Sequence, residues 1–333
     1  MSRSLGFEQI AGAVLGAAIG DAMGHPTEFM SIDEIRATYG PHGVSGYTLW
    51  WADGANRFAP YTDDTQMSEA VIRGLLASGT RCLDSAMREI ASRFIEWAER
   101  PQGGHRAPGG ACLAGSRALA GGAPWHQAGG LSAGGCGSVM RAWPFGLLFA
   151  HDPDLAIEWA VEQSRLTHRA PIAFAACAAF AHGIALAASG TAPTTVAEVI
   201  THTAARWSTE TAEMMHRAAD DAARSVPPAI TLGRLRGWAA HEAIAAALYV
   251  FLRHPDDPRS AILEGANTPG DSDSIASMAG ALVGARCGLS ALPQDWVRDV
   301  ERSDELIALS NVIVAIAGLA DSRATDQQVL ADL

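Results

Sequence analysis

Apolar residues recur at intervals of three and four through most of the chain, first at Ile10, Val14 and Ala17, then at Met67, Val71 and Leu75, then at Ile90, Phe94 and Ala98. Spacing of this kind gathers them on one face of a helix. The same period predicts helices over residues 155–163, 171–188, 196–205, 210–225, 238–252, 275–286 and 305–319, many bounded by Pro, Gly, Ser, Thr or Asp. Alternating, strand-like runs are scarce. Residues 101–138 are dense in Gly and Pro without the charge bias of a disordered linker, and read as a functional loop region. With no clear linker and no repeat at a fixed period, the pattern predicts one all-α domain over residues 1–333.

Composition agrees with a folded globule: 48% of residues are hydrophobic and the mean hydropathy is +0.08. The apolar stretch 171–188 carries His182 and many alanines, which reads as a buried helix rather than a bilayer span. Near the N-terminus, the apolar run 12–24 is broken by Asp21, unlike a signal peptide. The expectation is a cytoplasmic protein that does not engage a membrane. Five cysteines (Cys82, Cys112, Cys136, Cys177 and Cys287) are scattered without a CxxC pair, so neither a disulfide framework nor a zinc site is suggested. The formal charge is −12 and all 24 basic residues are Arg, which disfavours a broad nucleic-acid surface. An anionic ligand would need a local site.

Two acidic clusters change the picture. Tyr61-Thr62-Asp63-Asp64-Thr65-Gln66-Met67 precedes one helical run, and Asn267-Thr268-Pro269-Gly270-Asp271-Ser272-Asp273-Ser274-Ile275-Ala276 opens another. Either alone reads as a helix cap, since Thr and Asp satisfy first-turn amides and complement the helix dipole. Capping both ends with so many carboxylates is excessive, because only about four amides per helix need partners. If the two starts face each other, their repulsion calls for divalent cations. Carboxylate and hydroxyl oxygens suit hard ions such as Mg²⁺ or Mn²⁺, and the spacing is not that of an EF-hand.

Three further motifs join these. Gly16-Ala17-Ala18-Ile19-Gly20-Asp21-Ala22-Met23-Gly24 leads into Pro26-Thr27-Glu28-Phe29; Gly135-Cys136-Gly137-Ser138-Val139-Met140-Arg141 and Thr167-His168 follow later. Alone, the glycine cluster reads as a turn, Arg141 as a partner of either phosphate or carboxylate, and His168 as a cap or a surface residue. In this order the five motifs resemble the ADP-ribosylglycohydrolase family, over most of the chain. The resemblance implies a compact orthogonal helical bundle around a binuclear Mg²⁺ or Mn²⁺ centre, hydrolysing the glycosidic bond between ADP-ribose and an acceptor.

It also implies roles. Thr62, Asp63, Asp64, Asp271, Asp273 and Ser274 fall on the metal ligands, with Asp63 and Asp273 counted among the catalytic groups. Glu28 falls on the acidic residue beside the scissile bond, with acid, base and charge-stabilising roles all open to it. Gly135, Cys136, Gly137, Ser138, Met140 and Arg141 fall on the diphosphate loop, and His168 on a substrate contact. The implied partner is an ADP-ribosylated protein or small molecule, with ADP-ribose as product and nucleic acid only as a modified acceptor.

This chain departs from the family pattern at three places. Pro269 precedes Gly270 where a second Gly is usual. Cys136 and Ser138 stand where the loop often has Asn and Ala. Ala111-Cys112-Leu113-Ala114-Gly115 has Ala at both acidic positions of the arginine-directed Asp-Cys-Phe-Asp-Ile-Gly run, so an arginine acceptor is not carried over. A non-catalytic ADP-ribose-binding or structural protein, and a binuclear nucleotide phosphohydrolase, are the alternative readings.

Overall fold

Four glycines, Gly12, Gly16, Gly20 and Gly24, fall on every fourth residue of the first helix, Phe7–Gly24, and so line up along one side of it. That side lies against the helix Ser272–Cys287, which runs antiparallel to it. A Cβ on Gly16 would stand 2.2 Å from the Gly280 carbonyl oxygen, and one on Gly280 would stand 2.1 Å from that of Gly16. Gly12 meets the Gly284 carbonyl in the same way at 2.2 Å, and Gly20 meets that of Ala276 at 2.1 Å. The two backbones touch along their length, an approach that only glycine permits.

This pair is the centre of the computed structural model, which describes residues 5–80 and 82–331. Residues 10–24 of one helix and 272–285 of the other are buried on every side, as expected of helices wholly enclosed by others. Around them pack Pro171–Ala188, Ala240–Arg253, Pro258–Ala266 and Ser303–Ala331. Asp63–Ser78 lies on Leu83–Glu99, and Pro153–Ser164, Pro193–Ala205 and Thr209–Ala223 complete the outer layer. Several of these helices begin with proline, whose missing N–H costs nothing in the first turn. The 171–188 window is 78% buried by its neighbours, in keeping with a core helix.

All ten helices read from periodicity are present. The stretch read as loop, 101–138, needs correction: it contains the three-turn helix Gly110–Ala120 and the short Trp125–Ala128. Its buried face is Cys112, Gly115, Ser116 and Leu119, so a helical period exists but is carried by small residues. Gly115 is required by packing, since a Cβ there would lie 2.5 Å from the Leu166 carbonyl. The helix expected from residue 238 starts at Ala240, because the Trp238 carbonyl accepts from Cys136 N at 3.2 Å and Ala240 N donates to Gly134 at 2.8 Å. Among the described residues the one sheet is a hairpin, Trp51–Asp53 with Asn56–Phe58, whose turn begins at Gly54 with φ +60°.

The glycine contact gives a direct test. Gly280→Ala forces a methyl into a backbone carbonyl and should lower stability by about 1–3 kcal/mol, read by denaturant unfolding. Gly233→Ala, in the helix Pro228–Arg234 with nothing within 4 Å of its added methyl, should be neutral or stabilising by up to ~1 kcal/mol. Equal effects of the two substitutions would refute the close approach.

Candidate active site

The first of the central helices supplies one carboxylate that organises the site. Asp21 is fully buried and accepts from Thr62 N at 2.9 Å, Thr65 N at 3.0 Å and the Thr65 hydroxyl at 2.6 Å. These bonds dock the start of Asp63–Ser78 onto the central helix. Burial and then the charge of Asp273 raise the Asp21 carboxyl to about 7, against the lowering effect of the threonine hydrogen bonds. In the sequence Asp21 stands within the first glycine-rich motif and breaks the apolar run, with no role of its own assigned to it. Its one visible signal was an acid inside an otherwise apolar helical run.

At the other central helix, Ser272 donates to the Gly24 carbonyl at 3.0 Å, and Thr27 Oγ1 sits 3.1 Å from Ser272 Oγ. Phe29 N donates to Gly270 O at 2.9 Å, and Gly270 N returns a bond to Met30 O at 3.3 Å. The loop bearing Glu28 is thereby stitched to the loop before Asp271. Gly270, at φ +96°, and Phe29, at φ +67°, both hold the left-handed conformation that this pairing requires.

The two acidic clusters do meet, and capping accounts for little of them. Thr62 caps Asp63–Ser78, accepting from Asp64 N at 3.3 Å. Asp271 occupies the N-cap position of Ser272–Cys287 but caps no amide; its Oδ2 instead accepts from the Cys136 thiol at 2.8 Å. Asp273 Oδ1 accepts only its neighbour's amide, Ser274 N, at 2.9 Å, and Thr62 Oγ1 lies 3.5 Å from Asp273 Oδ2. Asp64 Oδ1 is buried without any hydrogen-bond partner.

Asp63, Asp64, Asp271 and Asp273 are each at most 5% exposed. Burial first, and then the charge of Asp273, push the carboxyls of Asp63, Asp64 and Asp271 well above the ordinary range. An orphaned carboxylate oxygen among buried acids and hydroxyls fits a hard divalent cation, which would satisfy the lone pairs and cancel the repulsion.

Glu28 faces this cluster. Burial, followed by Asp273, Asp271, Asp63 and Asp21, raises its carboxyl to about 10. His25 adjoins it, with Nδ1 4.0 Å from Glu28 Oε2. Ligand atoms of His25, Glu28 and Asp273 lie within 4.8 Å of one another, a grouping that can hold a metal. Burial lowers the His25 imidazole, Asp273 opposes that, and Arg106 adds to it. His25 had no role in the sequence reading, and nothing near it in sequence marks it out.

A cavity of about 360 Å³ opens above the acids. Its walls include Glu28, Asp63, Asp64, Asp271, Asp273 and Ser274, the backbone around Ala107–Cys112, and Gly135, Cys136, Gly137, Met140 and His168. At one edge Phe29 and Trp238 stack with ring centroids 5.1 Å apart. Both rings are exposed. Thr62 is the one expected ligand that does not line the cavity, lying just beneath it with its hydroxyl toward Asp273.

Ser138 and Arg141 lie behind the glycine loop rather than in the cavity. Ser138 Oγ, fully buried, accepts from Ser164 Oγ at 2.8 Å. Arg141 is also fully buried: it donates to Gly137 O at 2.6 Å, Thr167 Oγ1 at 2.6 Å and Gln163 Oε1 at 3.1 Å, with its guanidinium over the Phe94 ring. Both brace the loop from beneath. Thr167 accepts from Arg141, which leaves its own proton for His168 Nδ1 at 2.7 Å. That assignment puts the His168 proton on Nε2, on the side of Gly135 and Gly137. Burial, with Arg141 next, lowers His168 to about 3, so it is a neutral donor.

ADP-ribosyl-(dinitrogen reductase) glycohydrolase of Rhodospirillum rubrum is 29% identical, covering 94% of this chain and 97% of its own. ADP-ribosylarginine hydrolase Tri1 of Pseudomonas putida is also 29% identical, covering 91% of this chain and 77% of its own. A solved structure of an ADP-ribosylglycohydrolase-related protein complex, 24% identical, superposes with a TM-score of 0.68 over 93% of this chain and 98% of its own, which shows a shared fold. The family model for ADP-ribosylglycohydrolases matches residues 2–326. A match of that extent, on a chain with this helical architecture, establishes that the protein belongs to the ADP-ribosylglycohydrolase family.

Proposed function

We propose that the protein hydrolyses the glycosidic bond joining ADP-ribose to an acceptor, a protein side chain or small molecule, and releases ADP-ribose. The observation that carries this reading is the facing set of buried carboxylates with an unpartnered Asp64 oxygen. The proposed ligands of two divalent cations, Mg²⁺ or Mn²⁺, are Thr62, Asp63, Asp64, Asp271, Asp273 and Ser274. When bound, such ions neutralise the cluster, polarise ribose hydroxyls and lower the pKa of a water.

The remaining steps belong to the side chains. Backbone around Gly135 and Gly137, together with His168 Nε2, offers neutral donors to a diphosphate in a strongly acidic protein. Burial raises the Glu28 carboxyl, and a proton held there can pass to the departing acceptor. After the acceptor leaves, the carboxylate faces the oxocarbenium-like sugar and stabilises it. Of the two alanines at acidic positions, Ala111 lines the cavity and Ala114 is exposed outside it. An uncharged acceptor fits that wall better than a guanidinium does. ADP-ribosylated dinitrogenase reductase and ADP-ribosylarginine, named for two relatives, are the reference substrates.

Asp273→Ala should cut hydrolysis by several orders of magnitude with the helical circular dichroism spectrum intact; full turnover in added Mg²⁺ would sink the metal assignment. A panel of ADP-ribosylated acceptors, assayed with and without chelator, separates the possibilities by product: ADP-ribose for the proposed activity, AMP and ribose phosphate for a phosphohydrolase, nothing for a binding protein. Glu28→Gln should still bind ADP-ribose in calorimetry while turnover falls by about 10²–10⁴-fold. Lost binding with normal turnover per complex would make Glu28 a positioning residue instead.

The raised carboxyls also set a pH dependence. A folded-state pKa above the unfolded value contributes stability that is present at low pH and lost as pH rises through the folded value. Asp21, at about 7, and Glu28, at about 10, act in this sense. His168, lowered from 6.5 to about 3, acts oppositely, but only below pH 6.5. Chelated protein should therefore lose melting temperature between pH 6.5 and about 10, and the gain on adding Mn²⁺ or Mg²⁺ should grow across that window. A flat or rising metal-free profile there would contradict the electrostatic description of the cluster.

A further inference from the structure

Cys136 stands where the loop of this family often has asparagine, and its sulfur points at the acids rather than at the cavity mouth. Sγ lies 2.8 Å from Asp271 Oδ2 and 3.5 Å from Ser274 Oγ. One ion held at ~2.3 Å from a sulfur and ~2.1 Å from an oxygen separates neighbouring ligand atoms by roughly 3.1–3.6 Å. The separation from Ser274 falls within that range and the one from Asp271 falls just below it, so one cation could touch all three atoms after a shift of a few tenths of an ångström.

The residue is held for this role from behind. Its N–H donates to the Trp238 carbonyl at 3.2 Å, and Gly135 bridges Ala239, so the backbone that carries the sulfur is anchored at the start of the helix Ala240–Arg253. Across the same cavity Asp64, 3% exposed, keeps one carboxylate oxygen without a partner. That oxygen points independently to a missing cation.

We propose that Cys136 is a sulfur ligand on the Asp271–Ser274 side of the metal centre, giving that position a preference for borderline or soft divalent cations such as cobalt, zinc or cadmium. The inference rests on the metal-centre reading above and adds a ligand to it. On binding, the sulfur–metal bond forms, the S–H bond breaks, and the proton leaves to the buffer; Asp271 exchanges its thiol hydrogen bond for a shared ion. Thiolate is the softest donor in the set, and it discriminates against Mg²⁺ where oxygen ligands do not.

Cobalt(II) titration of the chelated full-length protein tests this without an activity assay. The wild type should develop both visible d–d bands and the near-ultraviolet sulfur-to-cobalt charge-transfer band. Cys136→Ser should keep the d–d bands and lose the charge-transfer band. By calorimetry its cadmium affinity should fall at least ~10- to 100-fold, the loss that even outer-shell substitutions produce, while Mg²⁺ affinity changes little. Bound cobalt without a charge-transfer band in the wild type, or a band that survives in Cys136→Ser, overturns the sulfur ligand and leaves the oxygen centre standing. No cobalt binding at all overturns the metal centre and the sulfur ligand together.

Discussion

The close approach of two glycine-lined helices is the constraint on which the site depends. With Gly12, Gly16, Gly20 and Gly24 against Gly284, Gly280, Ala276 and Ser272, the first helix contributes no side chain to the seam, and the two helices cannot slide without a backbone collision. Asp21 lies one residue past the third of these contacts, and Asp273 lies against the fourth, where a Cβ on Gly24 would be 2.5 Å from the Asp273 Cα. The separation of the acids is therefore set by backbone packing rather than by flexible side chains. Asp21 then carries the constraint outward, since its bonds to Thr62 and Thr65 fix where the acidic start of Asp63–Ser78 can sit.

Such a centre costs stability. Several carboxylates withdrawn from water, with few donors to satisfy them, work against folding, and the rest of the molecule must offset the penalty. Dense packing around the pair works in that direction, while a buried ion pair near the cavity fixes the adjoining segment in place. Arg106, from the segment that leads into the cavity wall at Ala107–Cys112, engages both oxygens of Glu301 and the Tyr61 carbonyl. The wall is thus tied to the residue immediately before Thr62, and the mobile-looking Gly–Pro composition of that segment conceals a fixed structure.

How far the sequence discloses this depends on where each signal resides. The large helices are legible because their apolar stripes are made of Leu, Ile, Val, Phe and Met. Gly110–Ala120 is not, because its inward face is largely Cys112, Gly115 and Ser116, and the close contact of Gly115 with Leu166 and Thr167 is one that no local pattern encodes. The acidic pairs are legible as two clusters that together exceed what capping requires. The roles of Asp21, His25 and the Phe29–Trp238 stack are not, since each depends on a partner distant in the chain: Thr62 and Thr65, Asp273, and Trp238. Ser138 and Arg141 are visible as parts of a motif, but whether they face a ligand or brace the loop is decided by burial, which sequence alone does not reveal.

Arg141 shows what that bracing does. It is a cation sealed beneath the glycine loop, with carbonyl, hydroxyl and amide oxygens and two sulfurs as partners and no carboxylate among them. Its charge is thus not cancelled locally, and it reaches the loop through protein rather than through water. Mobile ions screen exposed charges within about 10 Å at ordinary ionic strength but penetrate a packed interior far less. In a protein of net charge −12, a cation so placed lies directly behind one loop and is screened little by salt, so its pull on an anion at that loop would depend less on ionic strength than that of a surface arginine.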